Sequence, residues 1–263
     1  MIDSDEHVGE GVSAARVLAR TCTAEWTRLW TVKTTWWFLM AATLMLVGLG
    51  ALIGFESAAD PAGVQGEPAW TTARFLAMPA QFALLGLALI AVTSDYATGG
   101  ITVTLQWTPR RAVIFLARTI VTVGTATGIG GLLTVAAALA AFTTAGGALT
   151  LSAADGYDML GKVTLVFMTG TALAAGLGFL LRNTAGALIS VLLLILILPL
   201  LLPVFGAWMQ AISELLPGSG AIFLLTGEAR GMNTTSSVAV MLAWASAALL
   251  LGGLRLMRDD ANR

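Results

Sequence analysis

Thr184-Ala-Gly-Ala-Leu-Ile-Ser-Val-Leu-Leu-Leu-Ile-Leu-Ile-Leu-Pro-Leu-Leu-Leu-Pro-Val204 runs without a single charged side chain. At about 1.5 Å per helical residue, a stretch of this length crosses the ~30 Å hydrocarbon core of a bilayer. Lipid offers the backbone no hydrogen-bond partner, so such a segment must satisfy its own N–H and C=O groups by folding as a helix. Five more stretches pass the same test, at about 35–55, 75–93, 113–142, 159–181 and 238–254. The whole chain of 263 residues is 57% hydrophobic and 11% charged, against roughly 25% charged residues in soluble domains. So few charges cannot cover a water-soluble surface. The expected fold is an all-α membrane protein with six transmembrane helices, spanning residues 35–257.

Several function classes fall away on composition. A formal net charge of -1 excludes a globally basic nucleic-acid binder, so nucleic acid is not an expected partner. The one cysteine, Cys22, permits no intramolecular disulfide. The one histidine, His7, has no second metal-ligand candidate nearby, so no metal site is expected. Residues 1–11 carry Asp3, Asp5, Glu6 and Glu10, the reverse of the basic start of a secretory signal. They read as a disordered cytoplasmic tail, and residues 258–263 as a second cytoplasmic tail.

Six spans place both termini on one side. Arg16, Arg20, Arg28, Lys33, Arg110, Arg111, Arg118, Arg182, Arg255, Arg258 and Arg263 gather there, leaving Arg74, Lys162 and Arg230 on the other face. The positive-inside rule makes the richer side cytoplasmic, so the protein is expected in the cell's inner (plasma) membrane with both termini in the cytoplasm. Just before the first span, residues 12–34 form an amphipathic pattern. Ala15, Leu18, Cys22, Trp26 and Leu29 fall on one side, opposite Arg16, Arg20, Thr23, Thr27 and Thr31. Such a helix lies in the headgroup layer, anchored by its tryptophans among the membrane lipid.

Between spans five and six, residues 205–237 are neither a span nor a polar loop. Two short helices re-entering the outer leaflet fit them, and a surface amphipathic hairpin fits as well. The long third span, with Gly124, Gly128, Gly130 and Gly131, predicts tilt or a kink. Gly50 with Gly54, and Gly124 with Gly128, have the small-xxx-small spacing of closely packed helices; high glycine content in membrane helices is the competing explanation. Gly156-Tyr-Asp-Met-Leu-Gly161-Lys162-Val163 mimics phosphate-loop spacing but lacks the Ser or Thr for magnesium and a preceding strand. Lys162 reads instead as snorkelling to the interface. Asn233-Thr234-Thr235 matches a glycosylation acceptor, a motif too short to weigh.

No Asp, Glu or His lies inside the six spans as drawn, which argues against a proton-driven carrier and against an intramembrane hydrolase. A chain that moves a solute uphill without such groups takes its energy from a partner. A stand-alone secondary carrier should show inverted repeats, and a membrane-embedded enzyme should show polar catalytic groups. Composition does not separate a transporter from a non-transporting anchor or sensor.

Glu25-Trp26-Thr27-Arg28-Leu29 leads to Thr34-Thr35-Trp36-Trp37. After span two, in the loop 94–112, come Asp95-Tyr96, Gly99, Thr104-Leu105 and Pro109-Arg110-Arg111. In this order and spacing, together with six spans and the apolar insertion before the last, the chain resembles the membrane subunits of type-2 ABC exporters. The resemblance implies a permease without a catalytic site or bound cofactor of its own. A cytoplasmic ABC ATPase dimer holds the ATP and magnesium, and a second permease copy, a homodimer in the simplest case, completes the transporter. It also implies that Glu25, Arg28, Asp95, Tyr96, Gly99, Thr102, Pro109, Arg110 and Arg111 couple the spans to the ATPase. Family members commonly carry Glu at the place of Asp95 and often Thr at that of Gly100, so the individual contacts are less defined than the layout. A path lined by Gln81, Thr164, Met168 and Thr171 would suit a hydrophobic or amphipathic drug, lipid or peptide; helix packing is the other role open to these four.

Overall fold

The computed structural model describes residues 13–98, 100, 111–227 and 231–258, with the backbone alone at 97 and 98. Among them there is no strand, and six helices are long and apolar enough to cross a membrane. This is an all-α, multi-pass membrane protein. We number its helices α1 (Ala14–Thr31), α2 (Lys33–Ala59), α3 (Ala69–Thr98), α4 (Arg111–Thr144), α5 (Ala153–Leu181), α6 (Thr184–Phe205), α7 (Ala207–Ser213), α8 (Pro217–Thr226) and α9 (Thr234–Arg258). Each spanning helix extends to or beyond the apolar stretch that defines it, because helical hydrogen bonding continues into the interface after hydrophobicity ends.

α3 and α5 form the centre of the bundle. Of their most apolar windows 61% and 78% are buried, against 22% for α2 and 17% for α6, which present Trp37, Leu52, Phe55, Ile189, Leu200 and Val204 outward. Lipid contributes no hydrophobic drive between helices, so close backbone approach does much of the packing. A Cβ on Gly54 would sit 2.4 Å from the Ala141 carbonyl oxygen, and one on Gly50 3.0 Å from that of Ala137, so this glycine pair seats α2 on α4. Gly124 and Gly128 have nothing within 4 Å and mediate no such contact in the protomer. A further close seam joins α5 to α9, where a Cβ on Gly252 would lie 2.5 Å from the Gly176 carbonyl oxygen. α4 is helical from end to end despite its glycines.

Two spans contain a widened, π-helical turn, Leu44–Gly48 in α2 and Leu193–Ile197 in α6. In α6 the cause is visible: Pro199 has no N–H to give the Ile195 carbonyl four residues earlier. α8 uses that opening, since a Cβ on Gly218 would fall 2.1 Å from the Ile195 oxygen. Residues 205–237 thus contain two short helices of different character. α8 is buried at Pro217 to Ala221, Leu224 and Leu225, whereas α7 exposes Trp208. Their turn is clasped by buried hydroxyls: the Ser219 Oγ donates to the Ser213 carbonyl at 2.6 Å and meets the Ser213 Oγ at 3.0 Å. Asn233 caps α9, its Oδ1 accepting from the Ser236 N–H at 2.8 Å.

At the end of the bundle away from α1, the α2–α3 and α4–α5 connections are stitched together. The Thr150 N–H donates to the Glu67 carbonyl and the Gly66 N–H to that of Ala148, both at 2.8 Å. Trp70 adds a bond from its Nε1 to the Ser152 carbonyl at 2.9 Å. The phosphate-loop mimic lies wholly within α5. There Gly156 admits the Trp70 ring, which a Cβ would meet at 2.6 Å, and Lys162 pairs with Asp158 at 2.6 Å.

Candidate functional site

The helical pattern of α1 buries a different stripe from the one drawn on apolar residues alone. Arg16, Arg20, Thr23, Thr27 and Thr31 are exposed, but so is Trp26, and the buried residues are Glu25 and Leu29, with Arg28 half-buried beside them. Two charges thus face the bundle. Their partners come from α3 and α4. The α3 helix continues past Thr93 and carries Asp95 into the interior, so the expectation that no acid lies within the spans is corrected: the second candidate span runs Ala69–Tyr96 and includes it. The third contributes Arg118, about two turns inside α4 and 1% exposed.

These four side chains close a ring of ion pairs. Arg118 holds Glu25 with both arms of its fork, Nη2 donating to Oε1 at 2.8 Å and Nε to Oε2 at 3.1 Å. The same Nη2 lies 2.7 Å from Asp95 Oδ2, a charge contact without hydrogen-bond alignment. Arg28 mirrors this arrangement, its Nη1 donating to Asp95 Oδ1 at 2.5 Å and its Nε lying 3.2 Å from Glu25 Oε2. Its Nη2 also donates to the Ala91 carbonyl. Each carboxylate touches both guanidinium groups, and the ring of two acids and two bases is neutral. Burial lowers the Arg28 guanidinium from its usual value and Arg118 adds to this, while Glu25 and Asp95 oppose it. Arginine does not release its proton in proteins, so both guanidinium groups stay cationic and the carboxylates find fixed positive partners.

Single charges left in such a place are costly, because removing one member of a buried pair strands the other. The ring therefore ties α1 to α3 and α4 as a unit. α3 ends and α4 begins on either side of residues 99–110, so the same fastening grips both ends of that connection. Around it, other basic residues hold the carbonyls that helices leave unpaired at their C-termini. Arg182, left-handed at φ 53° after α5, donates from Nη2 to the Arg255 carbonyl at 3.1 Å, and Arg255 donates to that of Leu180. Arg111 reaches the Leu256 carbonyl at 3.4 Å. Arg182 also sits over the Tyr96 ring, 5.6 Å from its centroid.

Of the nine residues picked for coupling, Glu25, Arg28 and Asp95 meet in the ring, Tyr96 and Arg111 stand in the arginine layer beside it, and Gly99, Thr102, Pro109 and Arg110 lie outside the described residues. Arg118 was missed, although it is the single cation in the span drawn at 113–142, and a lone intramembrane charge is itself a signal that a partner must exist. The four residues proposed for a path do not converge on one cavity. Gln81 is buried and lines a small cavity among α3, α5, α6, α8 and α9. Thr164 is partly exposed, Met168 is exposed, and Thr171 is fully buried with its hydroxyl donating to the Phe167 carbonyl at 2.6 Å. Among the described residues no group of His, Cys, Asp and Glu could hold a metal ion. Compared with protein-family models and with curated proteins, the chain matches none.

Proposed function

We propose that this chain is the membrane-spanning permease subunit of an ATP-binding-cassette exporter, moving a hydrophobic or amphipathic drug, lipid or peptide out of the cytoplasm. In this reading it sits in the plasma membrane with both termini in the cytoplasm. It works as a pair with a second permease copy and draws its energy from two cytoplasmic ATPase subunits that bind ATP and magnesium. The observation that carries the reading is the buried ring of Glu25, Arg28, Asp95 and Arg118. A transporter driven from outside its own spans needs a stiff joint between its surface and its bundle. The ring supplies one, because displacing α1, or the connection between α3 and α4, moves both central and peripheral helices together. Alternating access needs two states with different contacts, and here the surface push is proposed to select between them.

The test is reconstitution. A P-loop ATPase should copurify with the chain, its ATP hydrolysis should rise on assembly, and Asp95→Asn or Arg118→Met should cut export while hydrolysis continues. Purified chain alone in vesicles that concentrates a solute without nucleotide would refute the proposal, as would normal export by both variants.

A further inference from the structure

Gln81 of α3 is 2% exposed, yet the only hydrogen-bond partner of its side chain among the described residues is the Met78 Sδ, at 3.6 Å. A primary amide offers two donors and a two-lone-pair acceptor, and a thioether is a weak acceptor. Buried amides are as a rule fully paired, so one left this way points to a partner that comes from elsewhere. Gln81 lines a cavity of ≈ 10 Å³ whose other walls include Thr169 of α5, Ile195 of α6, Pro217 and Ala221 of α8 and Met241 of α9. The Thr169 hydroxyl is committed to the Leu165 carbonyl at 2.7 Å, which leaves the Gln81 amide as the polar group there with spare capacity.

We propose that this cavity is the contracted form of a site for the hydroxyl head of a neutral amphiphile, with Gln81 reading the head and the apolar walls receiving its tail. A hydroxyl both donates and accepts, and so complements the carbonyl and the NH₂ of one amide at once. An ionic head does not fit, because no charged side chain lines the cavity and an unpaired charge at that depth is expensive. The present volume admits only a group the size of one water, so α8 is the element that must withdraw. It is suited to do so: ten residues long, it is too short to persist as an isolated helix. It is bounded by Pro217 and by Gly227 in the left-handed region, φ 78°. Its withdrawal must also break two bonds that tie the α7–α8 turn to its neighbours, from the Ser213 Oγ to the Pro199 carbonyl of α6 at 3.3 Å and from the Trp244 Nε1 of α9 to the Leu215 carbonyl at 2.7 Å. The inference gives the permease reading its cargo's polar group; it rests on that reading for meaning but not for detection.

The experiment needs no ATPase and no nucleotide. The full chain in phosphatidylcholine nanodiscs is irradiated with a diazirine-bearing octanol and its adducts are located by peptide mass spectrometry. Adducts are expected on the cavity-lining parts of α5 and α8, displaced by excess octanol but not by octane. Gln81→Leu should reduce them about tenfold, the worth of one neutral hydrogen-bond pair. Gln81→Met, which keeps the shape without the amide, should do the same. Adducts confined to the exposed faces of α2 and α6, displacement by octane as well as octanol, or undiminished labelling of both variants overturns the proposal. Such a result leaves the permease reading standing, since that is decided by the reconstitution.

Discussion

Replacing Arg118 by Met keeps most of the side-chain volume and removes one charge from a ring in which each member neutralises the others. Glu25 loses both arms of its fork, at 2.8 and 3.1 Å, and Asp95 loses a contact at 2.7 Å, leaving two carboxylates to one guanidinium. Arg118 is 1% exposed and Glu25 8%, so water cannot compensate. Breaking a buried pair from one side costs about 3–5 kcal/mol, and Arg118→Met should fall in that range. Glu25→Gln should cost somewhat less, since its carbonyl still accepts from Arg118. The decisive quantity is the coupling: the double variant should cost less than the sum of the singles by about 1–3 kcal/mol, as expected for residues in one network. The assay is reversible unfolding in mixed micelles by increasing the fraction of denaturing detergent, followed by far-ultraviolet circular dichroism. A single Arg118→Met cost below about 1 kcal/mol, or strict additivity in the double, would mean that the ring is as weak as an exposed ion pair, and the joint between surface and bundle would have no physical basis.

Three further outcomes probe other parts of the fold. Gly176→Val should open the α5–α9 seam, where a Cβ already meets the α9 backbone at 2.5 Å; overpacking of this kind costs about 1–3 kcal/mol, read from the same unfolding curve, with no change seen if the seam is looser than described. Asn233→Ala should cost about 1 kcal/mol through loss of the α9 cap, and Asn233→Asp, which keeps the acceptor, should restore it. Lys162→Ala removes a pair whose Asp158 side chain is 64% exposed, so its effect should stay within about 1 kcal/mol. A larger loss there would indicate a role that the exposed geometry does not provide.

The apolar stretches were sufficient to define the spans, because in a bilayer hydrophobic length and helical backbone are the same requirement. Hence the six helices, the α1 segment ahead of the first and the two short helices before the last could all be read from residue order. Their partnerships could not. Gly50–Gly54 and Gly124–Gly128 have identical spacing, yet only the first pair meets another backbone, since spacing gives a face but not what lies opposite it. Hydropathy also hid the ring: it ended the second span at Thr93 and left Asp95 in a loop, and it treated Arg118 as one more basic residue on its side. Charges separated by up to 93 positions along the chain become one site only when three helices converge, and desolvation then makes their pairing obligatory. Local composition settles where a membrane chain crosses. Which buried charges must find one another is decided by the packing of the helices that carry them.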